Sequence, residues 1–129
     1  MTKKEKSMST PLARARGLGP AKSGLHHWWH QRVSAVAMVG LVSWMVFLVF
    51  SLAGANYQTA RTLLAHPAHA TVVVLFVAIG LWHASLGLQV VLEDYVSNEG
   101  VRLVAILAVK MAASVLAVIA ILSVLKVAL

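Results

Sequence analysis

Cysteine is absent from this 129-residue chain, and acid is scarce: four Asp and Glu stand against eleven Lys and Arg. Without a thiol the chain can form no disulfide, no thiolate metal site and no iron–sulfur cluster of its own. Among metal-binding side chains only histidine is plentiful, with six. Charge of either sign makes up just 12% of residues, whereas 60% are hydrophobic and the mean hydropathy is +0.82. That balance is too apolar for a soluble domain of this size and reads as an integral membrane protein. The only extended polar region is roughly the first 30 residues, too little for an independent soluble domain. Chemistry in the water phase must therefore belong to a partner.

The net charge of +7 and pI near 10.4 would suit nucleic acid, but the charge is not spread as a footprint. Lys3, Lys4, Lys6, Arg14, Arg16 and Lys22, six of the eleven basic residues, lie in the N-terminal tail. Gathered there, they read as a topology signal, with membrane lipid as the contact and no nucleic acid.

Three apolar blocks remain, at about 33–53, 70–92 and 101–128. At 1.5 Å per residue each crosses a hydrocarbon core of about 30 Å as a helix, and lipid offers unpaired backbone groups no other solution. The fold class expected is all-α integral membrane, with three transmembrane helices. Residues 1–32 form a basic cytoplasmic tail and interfacial segment, and residues 33–129 a three-helix membrane anchor. The linkers "GANYQTARTLLAHP" and "EDYVSNEG" have turn-forming compositions, and the shortness of the second makes the last two helices antiparallel neighbours. The tail and Arg32 carry seven positive charges against Arg61 alone in the first loop. This places the N terminus in the cytoplasm and the C terminus on the outer side. A cleaved signal peptide is not expected. A Lys-rich start with Glu5 fits a bacterial cytoplasmic membrane protein better than a mitochondrial presequence.

His83 is the one histidine inside an apolar block. An ionisable side chain at that depth costs at least about 2.5 to 3.5 kcal/mol when charged, and when neutral each ring nitrogen still needs a partner. Two readings follow. The imidazole bonds a carbonyl or hydroxyl of a neighbouring helix, or it is an axial ligand of a haem iron. Gly80 and Gly87, three before and four after it, clear side-chain bulk from the same helical face. A flat macrocycle fits there, and so does the close approach of another helix. A single histidine leaves a six-coordinate iron needing a second one from elsewhere.

Asp94 lies eleven residues after His83, within about 20° of the same face and about 16 Å further toward the cytoplasm. With Tyr95 it reads either as ordinary interfacial polarity or as a quinone site. In the second reading a phenol donates to the carbonyl and an acid supports proton delivery. "GLHHWWHQRVSA", residues 24–35, packs His26, His27, His30, Trp28, Trp29 and Arg32 at the same membrane face. The tryptophans are interfacial anchors. Arg32 either snorkels or pairs with a haem propionate or lipid phosphate. The histidines are solvated or propionate-binding and do not form a zinc site. Lys110 sits about ten residues into the third block, where it snorkels or pairs with an acid.

The basic tail, a G-x-H element followed by "RVSA", and "HASLGLQVVLEDYV" together resemble the small haem-bearing membrane anchors of succinate dehydrogenase (complex II), the cytochrome b-binding subunits usually called D. The element H, three residues, G, six residues, D-Y is the specific part of that likeness, which runs from about Gly24 to the C terminus. The resemblance implies that His83 is one axial ligand of haem b, with the second from a companion cytochrome b anchor subunit bundled against this one. It implies that Tyr95 bonds ubiquinone and Asp94 supports that site, and that Arg32 and His26 lie near the haem propionates. An iron–sulfur subunit and a flavoprotein subunit complete the implied complex, and succinate oxidation lies outside this chain. "HHWWHQ" and Lys110 depart from the family pattern. Two other classes stay open: the anchor of a fumarate reductase or other quinone-linked oxidoreductase, and a structural membrane subunit without cofactor.

Overall fold

The computed structural model describes Thr10, Leu12 and residues 21–129, with side chains from Gly24 onward in the first helix. The basic tail residues Lys3, Lys4, Lys6, Arg14 and Arg16, on which the expected orientation rests, lie outside the described residues. Within residues 21–129 four helices follow in order: α1 (Ala21–Leu52), α2 (Tyr57–Ala65), α3 (Pro67–Tyr95) and α4 (Glu99–Ala128). The first, third and fourth are long and apolar enough to cross a membrane. Each begins before its apolar block. α1 begins near Ala21, well before Val33, because "GLHHWWHQ" holds no proline and one glycine, so nothing in it stops a helix once it has left the hydrocarbon.

The first linker is not simply a turn. It holds α2, and its three turn-forming residues act as breaks on either side of that helix. Gly54 turns the chain at φ 77°, a left-handed conformation that glycine adopts without penalty. Asn56 caps α2 by accepting from Thr59 N at 2.9 Å, and Pro67 occupies the first turn of α3, where its missing N–H removes no hydrogen bond. The residues between, "YQTARTLLA", include six of good helix propensity (Gln58, Ala60, Arg61, Leu63, Leu64 and Ala65) and no breaker, so they form a helix that lies outside the spans.

The turn between α3 and α4 is three residues long. Asn98 caps α4 by accepting from Val101 N at 3.1 Å, and Arg102 Nη1 donates to the Val96 carbonyl at 3.5 Å. α3 is the centre of the molecule, packing against α1 on one side and α4 on the other. Its partners bury little of the apolar surface. Val36, Phe50, Val104 and Met111 are 75%, 76%, 66% and 69% exposed, and among the described residues the buried apolar side chains are Leu48 and Leu86. A helix apolar all round needs lipid or other helices on its remaining faces.

Candidate functional site

The most buried polar side chain among the described residues is Ser34, 2% exposed, and it faces His83. α1 and α3 bring them together across the seam between two helices of spanning length. The Ser34 hydroxyl donates to the Gln31 carbonyl at 3.1 Å, and its oxygen lies 2.8 Å from His83 Nδ1. A hydroxyl has one proton. With that proton on the Gln31 carbonyl, Nδ1–H donates to Ser34 and the Nε2 lone pair is left free. Nε2 faces the Gln31 amide nitrogen at 3.5 Å, at the long limit of a hydrogen bond.

Of the two readings of His83, the hydroxyl bond to a neighbouring helix is therefore present, and it is compatible with the other. Imidazoles that ligate metals usually donate the second ring nitrogen to a fixed acceptor, which sets tautomer and orientation. Ser34 is such an acceptor, and the donor set fits one axial ligand of a haem. Among the described residues no three of His, Cys, Asp and Glu gather to hold a bare metal ion.

Gly80 and Gly87 look onto α1. A Cβ on Gly80 would meet Met38 Cε at 3.5 Å, and one on Gly87 would meet Gln31 Nε2 at 3.7 Å. Within this chain the glycine face is thus occupied by a packed helix. Asp94 and Tyr95 sit at the far end of α3, both exposed, Tyr95 at 84%. Among the described residues no slot is folded around that phenol. Arg32 lies over the Trp28 ring at 5.2 Å, His26 is exposed, and His30 stacks obliquely on Trp82 at 5.6 Å. Lys110 lines a separate groove of about 380 Å³ between α3 and α4, with Trp82, Ser85, Ala113, Ser114 and Ala117.

Ser34 and Gln31 were not singled out by the sequence as site residues. The available signal was polarity: in "QRVSA" they are the two neutral polar side chains at the start of the first span, three apart and so on one face. An intramembrane imidazole needs such partners, but their pairing with His83 across 49 and 52 residues is not local information.

A family model described as the succinate dehydrogenase/fumarate reductase transmembrane subunit matches residues 6–119. The chain belongs to that family. A succinate dehydrogenase hydrophobic membrane anchor subunit of Rickettsia bellii is 37% identical over 102 residues, covering 78% of this chain and 80% of the relative. The protein of the same name from Rickettsia conorii is 34% identical, covering 70% and 73%. That from Paracoccus denitrificans is 33% identical, covering 76% and 75%. No solved structure matches. Membership of this transmembrane family, with three spanning-length helices, makes the chain a multi-pass membrane protein and bears out the all-α membrane class. It also bears out the resemblance carried by "RVSA" and "HASLGLQVVLEDYV".

Proposed function

We propose that this member of the family is the membrane anchor of a bacterial succinate dehydrogenase. It would lie in the inner membrane with its N terminus in the cytoplasm, sharing a haem b with a companion cytochrome b anchor subunit. The observation that carries the proposal is the anchored imidazole. Nδ1 of His83 is held by Ser34 at 2.8 Å inside the spanning region, while Nε2 has only the long contact to Gln31. One intramembrane histidine supplies one ligand, so the companion chain supplies the other. A bound b-type haem would store one electron beside the quinone.

The remaining roles belong to this chain's own side chains. Arg32 and His26 stand at the end of α1 where propionates would emerge, and a guanidinium binds a carboxylate with two parallel hydrogen bonds. Tyr95, exposed at the end of α3, would donate its hydroxyl to a ubiquinone carbonyl, and Asp94 beside it would relay protons from water. That exposure supports a site completed by other chains, with the iron–sulfur subunit and the flavoprotein docking at this end. The relatives named as succinate dehydrogenase anchors favour succinate oxidation over fumarate reduction as the working direction.

The test is a reduced-minus-oxidised spectrum of the purified complex. A b-type signal is expected and should vanish in His83→Ala while all subunits remain assembled. A signal unchanged by His83→Ala overturns the ligand assignment.

A further inference from the structure

Three side-chain atoms are buried without a partner among the described residues: His27 Nε2, Gln31 Oε1 and Gln89 Oε1. All three residues line one groove of about 390 Å³ between the first turns of α1 and the last turns of α3, together with Arg32, Val90 and Glu93. Buried polar atoms in folded proteins almost always have a hydrogen-bond partner, so three without one in a single groove ask for a common occupant.

The hydrogen bonds decide what that occupant must offer. Gln89 Nε2 donates to Glu93 Oε1 at 2.7 Å, so reversing the amide would set its oxygen against a carboxylate. The Gln89 oxygen is therefore an acceptor. Gln31 turns its amide nitrogen toward the His83 lone pair, which leaves its oxygen an acceptor as well. A propionate or a quinone carbonyl only accepts and can satisfy neither oxygen. Water both donates and accepts. The groove is also polar at both ends: the Glu93 carboxylate stands at the surface, and Gln31 leads to His83, ten residues and about 15 Å deeper along α3.

We infer that this groove is a hydrated inlet, a column of water held by Gln89, Gln31 and His27 that brings His83 into contact with bulk water from within the apolar layer. The inference goes beyond the haem reading and does not require it. It rests on the spanning helices and the hydrogen-bond pattern alone. The α3–α4 groove around Lys110, of nearly equal volume, contains no unpartnered buried atom among the described residues and provides the contrast.

Because the chain has no cysteine, single thiols in it can be read by the mass of the labelled subunit in the intact, membrane-embedded complex. Val90→Cys places a thiol in the groove, and Gly87→Cys places one a turn deeper, beside the Gln31 amide where the groove leads toward His83. Val91→Cys and Leu88→Cys place them at matching depths on exposed positions outside it. A charged, membrane-impermeant methanethiosulfonate reacts with thiolate, which forms only where water reaches. The groove pair should label at least about tenfold faster than the outer pair, and Gln89→Leu should slow labelling of Val90→Cys and Gly87→Cys by a similar factor. Groove thiols no faster than the outer pair would overturn the inlet, whether the groove is dry or filled by a partner chain. Should Gly87→Cys fail to assemble, the conservative Val90→Cys carries the same comparison. Recording the haem spectrum on the same samples separates the two readings: fast labelling without a b-type signal supports the inlet and counts against the haem, and slow labelling with the signal does the reverse.

Discussion

The two faces of α3 are built on different principles. Toward α1 it presents Gly80, His83 and Gly87, and α1 answers with Met38, Ser34 and Gln31, so the seam is closed by a hydroxyl–imidazole bond among small residues. Toward α4 it presents Ala78, Leu81, Trp82 and Ser85 across a groove from Ala113, Ser114 and Ala117, a lining mostly of small and apolar groups that also includes Lys110. In lipid there is no hydrophobic gain in moving one apolar face from acyl chains to another helix, so both seams depend on close approach. They differ in specificity. A small-residue seam tolerates sliding, whereas a hydrogen bond between Ser34 and His83 sets one register. The polar seam is also where the family's chemistry is expected, so register and chemistry rest on the same residues.

Substitutions test that contrast. The largest effect is expected from His83→Ala, which removes both the bond to Ser34 and the proposed iron ligand. Loss of the entire b-type signal together with a lower melting temperature of the complex would match the assignment, and loss of stability alone would reduce His83 to a packing residue. Lys110→Leu comes next. All four acids in the sequence lie in the tail or at the α3–α4 turn, so Lys110 has no acid of this chain at its depth. Removing the cation should favour the membrane-inserted state by up to about 3 kcal/mol. A fall in thermal stability would instead reveal a carboxylate from a neighbouring subunit against this face.

Ser34→Ala removes the fixed acceptor for Nδ1 and leaves the helices in contact. Haem affinity should fall about 10- to 100-fold, as for other residues that orient a metal-ligating histidine, while helix association changes by only about 0.6 kcal/mol. Measuring haem retention during dilution separates the two. Tyr95→Phe should slow ubiquinone reduction roughly fivefold, the value of a hydrogen bond of about 1 kcal/mol, and spare succinate oxidation by artificial dyes. Equal loss of both rates would assign Tyr95 to subunit docking. The smallest effect belongs to Gly80→Ala, whose new methyl meets Met38 at ordinary van der Waals distance. An unshifted haem spectrum supports the close-packing role of that glycine, and a shifted one puts the macrocycle against it.

How much of this was legible from residue order differs by feature. Hydropathy located three spans because lipid forces every backbone group to pair within its own helix, a purely local demand. The same measure misplaced the helix ends and overlooked α2. Hydropathy reports where hydrocarbon begins, and a polar segment such as "GLHHWWHQ" continues a helix into the interface unnoticed. His83 stood out on polarity alone, and Asp94 and Tyr95 on their position at a span's end. The neighbours that meet the two ring nitrogens of His83 were not legible, since either helix could turn any of several polar residues toward it.

By itself, then, the sequence determined that the chain lives in a membrane, that it crosses as helices, and that an imidazole sits where only a partner could justify it. Those properties follow from transfer energies and from the 1.5 Å helical rise, which need no knowledge of neighbours. Tertiary structure alone decided that Ser34 and Gln31 are the partners, that the glycine face is met by Met38, and that Gln31, Gln89 and His27 share one groove. The physical reason is that helix rotation and register in lipid are set by side-chain contacts between elements far apart in the chain, and apolar periodicity is nearly uniform around all three spans.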